Sequence, residues 1–368
     1  MKVVAAVTPS TGAQFSVETV ELDEPRADEI LVRIMAAGVC HTDLVARDGV
    51  MPITMPAVLG HEGAGVVVRV GDAVTKVKEG DRVALTFRSC GGCARCKAGE
   101  PAYCATMPAL NYVGQRADGS KAISRDGERI SSNFFGQSSF ATHALAYERN
   151  VVVLPDDIPF ELAAPLGCGV QTGVGSILRA LACPAGSSLL IAGGGAVGLS
   201  AVMGAAIQGC HPIIVVEINE ERRRLALKLG ATHAIDPMAQ EDLTDAVRAI
   251  VPAGIDFVLD TTGRPQVLEA GFMSLAPRGV FGFVGVAPPN TKPPGIIGRM
   301  VMFGLTLRGI IEGDSDPDEF IPQLVQYWRE GRLPLEKLVQ LFPFSDINDA
   351  VQAQHAGECV KVVLALNE

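Results

Sequence analysis

Four cysteines, Cys90, Cys93, Cys96 and Cys104, stand in the run SCGGCARCKAGEPAYC. Their spacing, C-x2-C-x2-C-x7-C, constrains this chain more than any other feature. Four thiolates so close in sequence can close a tetrahedral shell around Zn²⁺. Gly91, Gly92 and Gly99 give the backbone freedom to wrap round an ion. The alternative use is a pair of disulfides, which needs an oxidising compartment. The first residues, MKVVAAVTPSTGAQFSVETVELDE, read as strands and show no charged leader followed by an apolar core. The nine cysteines are odd in number. The expectation is a structural zinc in a cytoplasmic protein.

A chain of 368 residues suggests about two domains. Its hydrophobic share of 48% with 20% charged residues suits a well-buried globular protein. A formal charge of −10 argues against a nucleic-acid partner, because phosphate binding wants a basic surface. No apolar run is long and clean enough to span a bilayer, so no membrane partner is expected.

The first part reads as short β-branched runs between turn signals: Val3–Val7, Phe15–Leu22, Glu29–Ala36, Gly65–Val70 and Arg82–Phe87. Near Leu166 the pattern changes. Apolar strands at Ser188–Ala192, Ile213–Ile218, Asp256–Asp260 and Val280–Gly285 alternate with helical segments at Ala196–Gln208, Glu220–Leu229, Leu243–Val251 and Gln266–Ala276. Alternation of this kind predicts a parallel sheet covered by helices on both faces. After Ile310 the elements are mixed, with a helix over Asp318–Glu330 and a closing strand over Val360–Leu366. The expected division is 1–167, 168–309 and 310–368, an α/β chain of two domains in which the last segment returns to the first.

The strand Ser188–Ala192 runs into Gly193-Gly194-Gly195-Ala196-Val197-Gly198. This is G-x-G-x-x-G at a strand-to-helix turn. Gly193 permits the tight turn, Gly195 lets backbone approach a pyrophosphate, and Gly198 lets helix and strand pack closely. Amides at the start of the helix, at Ala196 and Val197, then face the phosphates. Glu217 ends the next strand, roughly 20 residues on, where an acid binds ribose hydroxyls. A carboxylate there repels a 2′-phosphate, which favours NAD over NADP. The run Arg222-Arg223-Arg224 reads as a solvated helix face, with Arg222 within reach of the adenosine ribose.

Three further motifs carry metal-ligand side chains: GVCHTD at Cys40, GHEGAG at His61 and LGCGVQTG at Cys168. Alone, an isolated cysteine is usually a small core hydrophobe. Together they offer two thiolates and an imidazole, the three protein ligands of a catalytic zinc with one position open.

With these motifs in this order, the chain resembles the medium-chain, zinc-dependent alcohol dehydrogenases over essentially its full length. The run NFFGQSSFATHALAYERN and PLGCGVQTG make it most similar to the aryl-alcohol (benzyl-alcohol) and geraniol-type enzymes. The resemblance implies a GroES-like β-rich catalytic domain, a Rossmann domain and a homodimer or homotetramer. It implies two zinc ions per chain: a catalytic one on Cys40, His61 and Cys168, and a structural one on Cys90, Cys93, Cys96 and Cys104. It makes Thr42 the hydroxyl that relays the alcohol proton, Asp43 the partner that fixes the His61 ring, and Glu62 a carboxylate behind the metal. Thr172 and Val286 would lie near the nicotinamide, and His41 and Lys361 at cofactor phosphates. Relatives carry a histidine at the far end of the relay where this chain has Val45, which cannot hold a proton. Phe87, Phe134, Phe135 and Val286 would line the substrate pocket. The implied reaction is oxidation of a hydrophobic aromatic or allylic primary alcohol of benzyl, perillyl or geraniol type to its aldehyde, with hydride transfer to NAD. A formaldehyde-type or other zinc-dependent alcohol or polyol dehydrogenase is the alternative.

Overall fold

A computed structural model describes residues 1–288 and 290–366. The chain divides into two compact units, one holding residues 1–168, 316–327 and 335 onward, the other 169–315 and 328–334. These breaks differ from the expected ones after 167 and 309. Cys168 stays with the first unit because its thiol joins Cys40 and His61. Residues 310–315 stay with the second because they press on the helix Gly169–Gly175, where a Cβ on Gly175 would lie 2.6 Å from the Gly313 carbonyl oxygen.

In the first unit a five-stranded sheet runs in the order Ala57–Val58, Lys2–Thr8, Ser16–Leu22, Ile123–Arg125, Glu128–Ile130. A seven-stranded sheet follows the path Val151–Val153, Arg82–Leu85, Glu62–Val70, Glu29–Gly38, Lys361–Ala365, Val339–Pro343, and His143–Tyr147 also pairs with Glu29–Gly38. Glu29–Gly38 is the centre of this sheet and is buried along nearly its whole length, as EILVRIMAAG requires. Each aliphatic side chain sealed there contributes about 1.5–3 kcal/mol.

A charged residue opens that buried strand, and a network holds it. Arg116 donates from Nε to Glu29 Oε1 at 2.7 Å and from Nη2 to Oε2 at 3.0 Å, and its Nη1 reaches Asp23 at 2.8 Å. The Tyr147 hydroxyl and the Arg26 amide complete the shell of Glu29. Burial alone would raise the Glu29 pKa, but the Arg116 fork and these donors hold it below the usual carboxylate value.

The second unit is a six-stranded parallel sheet in the order His233–Ile235, Ile213–Val216, Leu189–Ala192, Ile255–Asp260, Leu275–Phe283, Thr306–Gly309. Its central strands, LLIA and IIVV, are fully buried, so they read as continuous apolar runs rather than alternating ones. The helices Ala196–Gln208 and Glu220–Leu229 match their expected bounds, each stopped by a left-handed glycine, Gly209 or Gly230. The helix expected to Ala276 ends at Ser274, because Leu275 already pairs with Ile255. The outer strands His233–Ile235 and Thr306–Gly309 carry little apolar signal of their own and were not anticipated. No helix among the described residues is long and apolar enough to cross a membrane.

The Glu29 pair has a defined pH signature. Its folded pKa lies below the unfolded value of about 4.3. The pair therefore stabilises fully above that value, and the contribution is lost as pH falls through the lowered folded value. Arg116→Met should cost about 3–5 kcal/mol near neutrality by stranding a buried carboxylate, and clearly less at about pH 3. Urea titrations at the two pH values read this, and an equal cost at both would refute it.

Candidate active site

Asp43 is a fully buried carboxylate in the first turn of the helix His41–Arg47, which Cys40 enters in extended conformation. Its Oδ2 accepts from the Cys40 amide at 3.0 Å. Its Oδ1 accepts from the Gly60 amide at 3.0 Å and from His61 Nδ1 at 2.8 Å. That last bond fixes the tautomer and turns Nε2 of the ring the other way. Nε2 is buried and finds no hydrogen-bond partner among the described residues.

The orphaned nitrogen faces other ligand atoms. Side-chain atoms of Cys40, His61, Glu62 and Cys168 lie within 4.8 Å of one another, all on the first unit. Hydrogen bonding from Cys168, helped by His61 and opposed by burial, holds the Cys40 thiol well below its ordinary pKa. Burial works against a charged His61 ring, yet Asp43 and Cys40 lift its pKa well above normal. A low-pKa Cys40 thiol beside a proton-hungry imidazole is what a divalent cation replaces with itself, so this donor set of two sulfurs and one nitrogen fits Zn²⁺.

Glu62 is also fully buried and is ion-paired with Lys361, whose Nζ donates to the Val39 carbonyl at 3.1 Å. Lys361 is only 2% exposed, so its ammonium faces a carboxylate rather than solvent. An unpaired buried carboxylate beside two thiols would be far costlier than this ion pair. Thr42 is half-buried one residue before Asp43, Val45 lies one turn further along the same helix, and His41 is exposed.

Aromatic rings enclose the imidazole. Phe135 stacks on His61 with centroids 4.4 Å apart, and Phe134 meets it edge-on at 5.7 Å. Holding them there strains the chain: Asn133, Phe135 and Ser138 all have positive φ. Gln137 braces this turn, accepting from the Gly63 amide and donating to the carbonyls of His61 and Thr86. Sequence reasoning missed Gln137; its one signal is a lone amide inside the apolar run FFGQSSF. Phe87 is buried, but among the described residues its ring is not one that touches His61.

The sulfurs of Cys90, Cys93, Cys96 and Cys104 likewise lie within 4.8 Å of one another, and all nine cysteines are free thiols. Backbone amides point at them: Cys90 donates to Cys104 Sγ at 3.2 Å and Cys93 to Cys90 Sγ at 3.3 Å. The Ala105 and Cys96 amides pull the Cys93 thiol down to about 6. Burial and neighbouring sulfurs push Cys96 up to about 11. Four thiols this close cannot all ionise unless a cation sits among them, and the loop supplies the shell for one.

In the second unit, Gly193 turns at φ +98 after the strand Leu189–Ala192, and Gly195 caps the helix Ala196–Gln208. A Cβ on Gly198 would lie 1.9 Å from the Gly193 carbonyl oxygen, so only glycine lets the helix sit on the turn. A Cβ on Gly195 would meet nothing within 4 Å. That face of the turn is open, as the approach of a phosphate to helix N-terminal amides requires. Glu217 Oε2 accepts from the Gly194 amide at 2.5 Å and Oε1 from the Asn219 amide at 2.8 Å, which places the carboxylate beside the turn. Arg223 is tied to Asp236, and Arg224 to Glu220 and Glu221, while the Arg222 amide is capped by Asn219. Thr172 is buried on the helix Gly169–Gly175, and Val286 is exposed beyond the strand Leu275–Phe283.

Comparison with known proteins agrees with this geometry. Residues 26–156 match the alcohol dehydrogenase GroES-like domain, and residues 196–327 match the zinc-binding dehydrogenase domain. A geraniol dehydrogenase of Castellaniella defragrans is 46% identical over 361 residues, covering 98% of this chain and 96% of its own length. The crystal structure of an alcohol dehydrogenase zinc-binding domain protein from Burkholderia ambifaria superposes with a TM-score of 0.97 at 47% identity, covering 100% of both chains. That of a benzyl alcohol dehydrogenase from Acinetobacter calcoaceticus gives 0.96 at 39% identity, with 99% of each chain covered.

The two glycines should separate folding from binding. Gly198→Ala should lower the thermal midpoint, because its Cβ collides with backbone. Gly195→Ala should leave the midpoint unchanged while weakening dinucleotide binding by calorimetry. Equal effects from both variants would show that the open face is not where a ligand approaches.

Proposed function

The chain belongs to the medium-chain, zinc-dependent alcohol dehydrogenases, and on that footing we propose that it oxidises a hydrophobic aromatic or allylic primary alcohol to its aldehyde, reversibly, with NAD. The observation that carries the substrate class is the pair of rings on His61, Phe135 flat against it and Phe134 edge-on. A planar, conjugated alcohol stacks on such a wall, whereas a polyol would lose its water there without hydrogen bonds in return. The relatives named for geraniol and benzyl alcohol support the same class.

Cys40, His61 and Cys168 would hold the catalytic zinc, and Cys90, Cys93, Cys96 and Cys104 the structural one. When bound, the zinc supplies a Lewis acid that makes an alcohol hydroxyl acidic near neutral pH, and the nicotinamide accepts the hydride. Asp43 keeps Nε2 of His61 directed at the cluster. Thr42 takes the substrate proton on its hydroxyl, and with Val45 in place of a base, water receives the proton next. Phe134 and Phe135 exclude bulk water from the imidazole side. The first-turn amides at Ala196 and Val197 would hold the pyrophosphate, with the helix dipole behind them. Glu217 accepts from ribose hydroxyls and repels a 2′-phosphate, which favours NAD.

The free thiols suit a reducing cytoplasm. A homodimer or homotetramer is supported by the second unit. Its edge strand Thr306–Gly309 has a mostly exposed face, and Ile296, Ile297, Val301 and Met302 beside it are 70–79% exposed. Light scattering that reports a monomer would refute it.

With NAD, turnover per KM should rank benzyl, perillyl and geranyl alcohols above ethanol and glycerol, and NADP should serve poorly. A preference for ethanol would overturn the substrate class, and normal turnover by Thr42→Ala would remove that hydroxyl from the proton path. Metal analysis should return about two zinc ions per chain. Cys168→Ser should lose one of them and the activity while keeping the thermal midpoint. Cys96→Ser should lose the other and lower the midpoint; an inactive but fully stable Cys96→Ser protein would reverse the roles of the two sites.

A further inference from the structure

The segment after the strand Thr306–Gly309 is the most contorted part of the second unit. Glu312, Gly313 and Asp314 follow one another at φ +51, +63 and +53. Two of the three carry side chains that disfavour this region, and such strain persists only where the surroundings impose it. Here they do. A Cβ on Gly313 would lie 2.5 Å from the Gln171 carbonyl oxygen, and one on Gly175 would lie 2.6 Å from the Gly313 carbonyl oxygen, so turn and helix interlock. Asp314 is ion-paired with Arg308. Glu312 is buried, and its Oε2 accepts from Gln171 Nε2 at 3.2 Å and from the Thr172 hydroxyl at 3.4 Å.

The place of this turn matters. Ligands of open parallel sheets bind outside the carboxyl ends of the strands. Glu217 follows the strand Ile213–Val216, the glycine turn follows Leu189–Ala192, and Glu312 follows Thr306–Gly309, all at that same edge. With ribose at Glu217 and pyrophosphate at the glycine turn, a dinucleotide continues across the sheet toward Ile255–Asp260, Leu275–Phe283 and Thr306–Gly309. The helix that Glu312 grips also touches the pyrophosphate cradle, because a Cβ on Gly173 would lie 2.2 Å from the Val197 carbonyl oxygen.

We propose that Glu312 is a positioning residue for the nicotinamide half of the cofactor. Its buried carboxylate holds the Thr172 hydroxyl and the Gln171 amide in fixed directions beside the ring's place, so that the ring binds in one orientation. The proposal rests on the reading that the second unit binds a nicotinamide dinucleotide, and the test keeps the two apart.

NADH and ADP-ribose, which lacks the nicotinamide, are titrated into the full-length wild type, Glu312→Ala and Glu312→Gln. Wild-type binding of ADP-ribose establishes the dinucleotide site by itself. Glu312→Ala should then weaken NADH by about tenfold and ADP-ribose by less than about twofold, because only the ring meets the displaced groups. Glu312→Gln, whose amide oxygen can still accept from Thr172, should recover most of the loss. Equal weakening of both ligands would reduce Glu312 to a general structural residue and overturn the proposal, as would no weakening of either. If Glu312→Ala does not fold, Thr172→Val should show the same split, and a Thr172→Val protein with unchanged NADH affinity overturns it equally. A wild type that binds neither ligand removes the dinucleotide reading and this proposal with it.

Discussion

Everything at the cluster of Cys40, His61 and Cys168 hangs on one buried carboxylate. Asp43 accepts from the Cys40 amide, the Gly60 amide and the His61 ring, so it joins the start of one helix to the loop before the strand Glu62–Val70. A buried carboxylate with fewer partners would be costly. With three donors it is satisfied, and it sets where a thiol and an imidazole nitrogen meet. Among the described residues the ring's other nitrogen has no hydrogen-bond partner, a local cost that a bound cation would remove.

The same logic recurs at two other buried acids in the first unit. Glu29 is satisfied by the Arg116 fork, and Glu62 by Lys361. The two differ in outcome. Four donor atoms from three residues draw the Glu29 pKa down, whereas burial keeps that of Glu62 raised despite Lys361. The first pair is a structural clasp. The second puts an ion-paired carboxylate next to the cysteine sulfurs.

Local patterns were legible in the sequence, and long-range pairings were not. The four-cysteine loop is contiguous, so its spacing alone announces a shell. The helix Ala196–Gln208 is bounded by a glycine turn and a glycine stop, and both are local signals. The three dispersed ligands became visible through family resemblance, since nothing local links Cys168 to Cys40. The ion pair of Lys361 with Glu62 was not legible, because the two residues are remote in sequence. The edge strand Thr306–Gly309 was missed since its alternation is faint and only its pairing with Leu275–Phe283 defines it. Glu312 gave no warning: an acid in a Gly-Asp turn looks solvated until the helix packed against it is seen.

The contrast between the two cysteine sets also governs biogenesis. All thiols of the four-cysteine loop leave the ribosome within fifteen residues or so of one another, so this loop can close early on the nascent chain. The other cluster must wait for residue 168, and Glu62 stays without its counter-ion until residue 361 has been synthesised and its strand has docked beside Glu29–Gly38. The order in which the two sets of side chains can come together is thereby set by nothing more than where the codons lie.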